Sequence, residues 1–308
     1  MITLRESIMP PGFASTLTRH LRCVRFDEVV VLQGAPALGA AFSMGVPAWP
    51  DALPLAVFAA GSCALVAHVF LFNDLSGISD DLNDPRRTED VFARRGIGTR
   101  TIATLCVATL VLSAVLLSVV GRRTVVIAMA IAALSALYSG RRWHVKGVAI
   151  GSTVCHLVGG TLHFLLGYSV FGPIDGRALA VAPFFGLMFA AGHLTQETQD
   201  RDADRSNGVT TNAVAYGARR AFVAGLALFA LAHGLLFGLA VLGVVPHVLV
   251  AVLVCSLLHF YWARKTLATG LSYDSVLDLR RRYRLLYAFF GVLMLTAEIA
   301  RAASVAQP

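Results

Sequence analysis

Residues 52–84 read ALPLAVFAAGSCALVAHVFLFNDLSGISDDLND. The chain stays apolar from Ala52 to Phe72, then turns polar at once with Asn73 and Asp74, and Asp80, Asp81 and Asp84 follow closely. About twenty apolar residues is what a helix needs to cross roughly 30 Å of hydrocarbon. Comparable runs lie at about 28–48, 99–120, 124–139, 147–170, 178–195, 219–242, 245–263 and 285–303, which makes about nine in all. Backbone amides in lipid must be satisfied within their own segment, so helices are expected. The runs are too long and too unalternating for barrel strands. The expected fold class is therefore all-α, a polytopic membrane helical bundle of about nine transmembrane helices.

Composition agrees. The 308 residues are 56% hydrophobic and only 14% charged, which excludes an ordinary soluble domain. Residues 1–27 read as a polar, basic lead-in without a cleavable leader, 28–303 as one transmembrane domain, and 304–308 as a short tail. A surface helix around residues 13–25 is expected within the lead-in. Of the 26 Lys and Arg residues, 22 fall on one side of a nine-span arrangement, which puts the N-terminus and the acidic loops in the cytoplasm. The +8 net charge is mostly this bias, and nucleic-acid binding is not expected. Arginines outnumber lysines 24 to 2, the composition of a GC-rich bacterial genome, so the expected location is a bacterial cytoplasmic membrane. Cys23, Cys63, Cys106, Cys155 and Cys255 are widely spaced and read as packed thiols.

The sixth apolar run ends as the second does. It leads into Glu197 and then Asp200-Arg201-Asp202-Ala203-Asp204. Both clusters follow even-numbered spans and so emerge on the same side, four spans apart, as two parallel halves would place them. Eight of the 18 acidic residues lie within 74–84 and 197–204. Acids at the edge of the hydrocarbon cost about 2.5–3.5 kcal/mol each on insertion scales, and that cost implies use. Solvated helix ends are the ordinary alternative. Asp200 and Asp204 are one turn apart on a helix face, and Asn73, Gly77 and Asp81 share the same spacing. Oxygen ligands from two facing helix ends suit Mg²⁺, which keeps positions for water and phosphate oxygens. Between the clusters runs Tyr138-Ser139-Gly140-Arg141-Arg142-Trp143-His144-Val145-Lys146, a cationic loop fit either to hold a diphosphate or simply to set topology.

These residues resemble the UbiA superfamily of intramembrane prenyltransferases. Asn73, Asp74 and Asp81 match that family's Asn-Asp-x-x-Asp-x-x-x-Asp motif; Asp200, Asp204, Arg205, Gly208 and Thr211 match its second motif. Tyr138-Ser139 and Lys146 resemble its Tyr-Ser…Lys segment with the prolines missing. Gly77 departs from the pattern, standing where the family's central Asp would be. The resemblance implies a bundle around a central cavity, with Mg²⁺ as cofactor and an allylic isoprenyl diphosphate as donor at the cytoplasmic end. It implies transfer of the isoprenyl group to a lipophilic, aromatic acceptor, the donor chain threading toward membrane lipid. The expected metal set is Asn73, Asp74, Asp81, Asp200 and Asp204. Lys146, Arg141, Asp84 and Glu197 are expected to support the bound donor. Asp200, Asp204, Lys146 and His193 are the expected catalytic residues; His193 lies about two turns above Asp200 on the same helix face, placed to take an acceptor's proton. Two rivals stand beside this reading: an intramembrane terpene cyclase using the same diphosphate site, and a transporter or cation-binding protein using the acids as an ion path.

Other polar residues in the apolar runs have plainer readings. His68, His156, His163, His233 and His259 are expected mostly as hydrogen-bonded packing groups, and Glu298 as an outer-end snorkelling residue or a ligand. The glycines from Gly147 to Gly167 suit close helix contact.

Overall fold

The structure, a computed structural model, describes residues 24–83, 92–93, 96–140 and 142–306, with the backbone alone for Asp80, Asp81, Asn83 and Ala306. Asp84 and Arg141, and residues 13–23 of the expected surface helix, lie outside the described residues. The described chain is helical: α1 Phe26–Leu32, α2 Gly34–Met44, α3 Ala52–Ser76, α4 Ile78–Asn83, α5 Thr99–Val120, α6 Arg122–Ser139, α7 Gly151–Tyr168, α8 Gly176–Ser206, α9 Asn212–Tyr216, α10 Ala218–Val241, α11 Val252–Ala268 and α12 Tyr273–Ala306. Seven helical stretches are long and apolar enough to cross a membrane, those containing α3, α5, α6, α8, α10, α11 and α12. The protein is an integral membrane protein. The other two expected spans are present in a weaker form. The first is split at Gln33 into α1 and α2, and the fifth is α7, whose glycines and two histidines dilute its hydropathy.

The two halves repeat their packing. Each helix that leads into an acidic cluster packs closely on its successor, α3 on α5 and α8 on α10. α7 joins the halves, touching α2, α6 and α8, and α12 lies across α8, α11 and α2. Glycines permit the closest crossings. A Cβ on Gly160 would stand 2.6 Å from the Phe185 carbonyl oxygen, and one on Gly186 would stand 2.5 Å from that of Leu157, so α7 and α8 approach backbone to backbone. Gly39 and Gly167 do the same for α2 and α7. Around them Phe164 stacks on Phe185 at 4.6 Å, and Phe184 meets Phe185 edge-on at 5.0 Å. Leu53, Val119, Leu257 and Phe289 point outward, as side chains facing lipid do.

At the end opposite the acidic clusters, Arg177 at the start of α8 donates to Glu298 of α12 at 2.7 Å, to the Phe42 carbonyl and to the Val244 carbonyl. Arg301 donates to the same carboxylate at 2.6 Å. Glu298 is thus a buried ion-pair centre tying four segments together, and the snorkelling reading is replaced by this one. Beside it Asp175 caps α8 through the Ala178 amide, which holds its carboxyl below the usual carboxylate range.

Between the apolar runs at 245–263 and 285–303 the chain is polar, yet helix runs to Ala268 and resumes at Tyr273. The basic residues therefore lie on helix faces: Arg280 donates to Gln199 and Gln196 of α8, and Arg284 forks onto Glu28 of α1.

Candidate active site

The first acidic cluster is shaped by Gly77. Its amide donates to the Asn73 carbonyl at 2.9 Å and closes α3, after which the chain restarts as α4. The departure from the family motif therefore falls at a helix stop, and Asn73 and Asp74 occupy the last turn of α3 while Asp81 belongs to the backbone of a separate short helix. The second cluster is unbroken. α8 continues through Ser206, so Asp200 and Asp204 remain one turn apart on one helix, both half-buried.

The end of α6 stands between them. Ser139 donates to the Asn73 carboxamide oxygen at 3.0 Å. Its neighbour Tyr138 lies within the electrostatic reach of Glu197, Asp200 and Asp204. Lys146, half-buried on the loop after α6, supplies the positive charge felt by Asp204. The structure thus gathers Asn73, Lys146, Asp200 and Asp204 around Tyr138 and Ser139. Asp74 is engaged differently: Arg25 forks onto its carboxylate through Nε and the terminal nitrogen, a contact the sequence gave no reason to expect.

Glu197 faces inward. Its oxygens accept from Ser152 Oγ at 2.8 Å, the Asn212 amide at 3.0 Å and Asn212 Nδ2 at 2.9 Å, and His193 Nε2 lies 2.8 Å away. Asn212 also accepts from the Ile150 amide at 2.8 Å and donates to Thr153. Ile150 is β-branched and has φ 68°, a conformation worth roughly 1–3 kcal/mol of strain that persists only when its surroundings enforce it. Asn212 supplies that enforcement, and the loop carrying Lys146 is pinned at the motif's own C-terminal edge. Sequence reasoning missed Asn212. Its only visible signal was a polar residue directly after Thr211, opening an otherwise apolar helix.

His193 stacks face to face on His156, with centroids 3.6 Å apart and planes 8° apart. Tyr138 meets both edge-on, at 6.2 and 5.0 Å. The other intramembrane histidines lie apart: His68 bonds to Cys106, His163 to the Gly159 carbonyl, and His233 and His259 share Tyr287.

The family model of the UbiA prenyltransferase family matches residues 34–275, which includes both acidic clusters and the loop between them. The chain belongs to the UbiA prenyltransferase family. Solved UbiA folds agree along nearly the whole chain. A UbiA homologue from Archaeoglobus fulgidus bound to GPP and Mg²⁺ superimposes with TM-score 0.70 at 16% identity, covering 90% of this chain and 99% of that one. The apo UbiA homologue from Aeropyrum pernix K1 gives 0.69 at 16% identity, over 87% and 98%. A structure of digeranylgeranylglyceryl phosphate synthase gives 0.68 at 17% identity, over 92% and 99%. At these identities the likeness is one of fold. Comparison of the sequence with curated proteins gives no match.

Among the described residues no three carboxylate, thiol or imidazole side chains converge as a metal centre. The donors that do gather, the Asn73 carboxamide and the Asp200 and Asp204 carboxylates, are hard oxygens beside a lysine, and that chemistry fits Mg²⁺ carrying a phosphate ligand.

Proposed function

We propose that this family member transfers an isoprenyl group from an allylic isoprenyl diphosphate to a lipophilic, aromatic acceptor with the help of Mg²⁺. The observation that carries the reading is the meeting of Asn73 and the Asp200–Asp204 pair around Tyr138 and Ser139, at one end of a UbiA-type bundle. Asn73, Asp74, Asp81, Asp200 and Asp204 would hold the metal, and Lys146, with Arg141 and Asp84, the donor. Bound Mg²⁺ would offset the charge that develops on the departing diphosphate. Lys146 contributes to the same end, since a cation fixed beside the leaving group stabilises the transition state more than the ground state. Glu197 acts from behind, fixing Asn212. The acidic end is assigned to the cytoplasmic face of a bacterial membrane, following the bias of Lys and Arg.

Diphosphate release by the purified protein tests this, with geranyl, farnesyl and geranylgeranyl diphosphates, with and without Mg²⁺ and phenolic acceptors. Mg²⁺-dependent release that Asp204→Ala loses supports the reading. A cyclised hydrocarbon formed equally well without acceptor would favour the terpene-cyclase alternative, and no release from any donor would return the acids to a transport or cation-binding role.

A further inference from the structure

The chain enters α7 through a rare bend. Ile150 has φ 68° and ψ −46°, and the Gly151 amide donates back to the Ala149 carbonyl at 2.8 Å. Those angles with that bond make a γ-turn of the uncommon, strained hand. Glycine takes a positive φ without steric cost, whereas a β-branched residue resists it. Packing does little to hold Ile150 there, because its side chain is 59% exposed. The hold comes from Asn212, whose Oδ1 accepts from the Ile150 amide at 2.8 Å.

Asn212 is buried, and its orientation follows from its partners. The Ile150 amide requires the oxygen on one side, and the Glu197 carboxylate, 2.9 Å from Nδ2, requires the nitrogen on the other. Its backbone amide donates to the same carboxylate at 3.0 Å, and Nδ2 also reaches Thr153 Oγ1 at 3.1 Å. One residue thus joins α8 at Glu197, the segment that follows the Asp200–Asp204 pair, and the loop that leads from Lys146 into α7. The loop and that segment also meet nearer the acids, where a Cβ on Gly147 would stand 3.9 Å from Val209. Val209 in turn donates its amide to the Asp204 carbonyl at 2.9 Å. Lys146 adjoins the first of these attachments and lies four residues from the second.

We propose that Asn212 is a positioning residue for the donor diphosphate and acts through Lys146. By holding Ile150 in the strained turn it sets the path of residues 147–150, and with it the place of Lys146 beside Asp204. The lysine loop and the second acidic cluster then meet the diphosphate as one preformed unit, and no binding energy is lost to ordering the loop. This rests on the prenyl-transfer reading and adds to it a residue that contacts neither donor nor metal.

Calorimetry with inorganic diphosphate and Mg²⁺ tests this without turnover, on the full chain in detergent, with thermal melts showing that each variant is folded. Lys146→Ala is expected to weaken diphosphate binding about 10- to 100-fold, the loss of one hydrogen bond between charged groups. Asn212→Ala should weaken it about 10-fold. The double variant should bind no worse than Lys146→Ala alone, because the asparagine then has nothing left to position. A merely structural residue would lower the melting temperature and add its loss to that of the lysine.

Two changes at Ile150 probe the turn from its exposed side. Ile150→Gly should bind within about twofold of wild type and recover most of the loss in Asn212→Ala, since glycine takes a positive φ freely. Ile150→Pro has no amide hydrogen and cannot take a positive φ, so it should reproduce the loss of Asn212→Ala. It leaves the buried contacts of Asn212 with Glu197 in place, and so decides the question even where Asn212→Ala does not fold. Additive losses in the double variant, or wild-type binding by Ile150→Pro, overturn this assignment alone. Wild type that binds no diphosphate in Mg²⁺ overturns the donor reading and this one with it, and is recognised before any residue is changed.

Discussion

Gly77 concentrates the questions that single residues pose here. It ends α3 with an ordinary φ of −100°, so the position tolerates a side chain in principle, but a Cβ would stand 3.3 Å from the Asn73 carbonyl oxygen. Gly77→Asp therefore asks the helix end to yield by a few tenths of an ångström while adding the carboxylate that the family motif carries. We expect the Mg²⁺ concentration giving half-maximal diphosphate release to fall roughly tenfold, about 1.4 kcal/mol of added binding, read from a Mg²⁺ titration of the variant. A result unchanged from wild type would mean that the residue cannot reach the metal from a broken helix. Glu197 makes the contrasting prediction. Glu197→Gln keeps the volume but opposes an amide to the donors of Ser152 and Asn212, and should lower unfolding stability by about 1–3 kcal/mol, measured as a thermal shift in detergent. The acids at 200 and 204 were legible because periodicity alone puts them on one face. Glu197 was legible as an acid near the motif, but its direction was not, since its partners Ser152 and Asn212 are 45 and 15 positions away and no local pattern announces them.

Hydrophobic runs gave most of the helices correctly because lipid imposes one rule on every span. Their ends were less legible. α8 and α12 both extend well past their apolar runs, since a helix continues into water as long as its own side chains and neighbours support it. In α12 that support comes from Arg280 on Gln199 and from Arg284 on Glu28, contacts between helices that a hydropathy reading cannot contain. The break at Gln33 was hidden for the opposite reason: residues on both sides are apolar. The glycines of α7 were legible as a packing face, though not their partners. Gly167→Ala should drive a methyl group into the Pro36 carbonyl of α2, costing about 1–3 kcal/mol by overpacking. Gly159→Ala, whose Cβ would meet Leu134 only at 3.7 Å, should be close to neutral. Equal thermal shifts for the two would refute the α2–α7 crossing.

Across the whole molecule, the proposed site and the buried Arg177–Glu298–Arg301 network lie apart along the bundle axis. One end holds the acids, Lys146 and the stacked histidines; the other holds Arg177, Glu298 and Arg301, remote from any of them in the chain's alternation. Glu298→Ala would leave the half-buried Arg177 with only its two carbonyl partners and should cost about 1–3 kcal/mol. Below the lowered unfolding temperature it should leave donor turnover as it was. Thermal melts beside rate measurements at a permissive temperature check both halves of that statement. The repeat of α3 on α5 and α8 on α10 explains why two clusters far apart in sequence share an end, a relation that the count of spans between them made visible before any coordinates did.

The Arg25–Asp74 fork has a practical corollary. Because the residue that grips this acid lies just before α1, a change at the entry to the first described helix reaches the acidic end, whereas α12 closes at the opposite pole. The two ends of the described chain are thus not equivalent neighbourhoods: Arg25 touches an acid of the proposed site, and the last turns of α12 touch the Arg177–Glu298 pair.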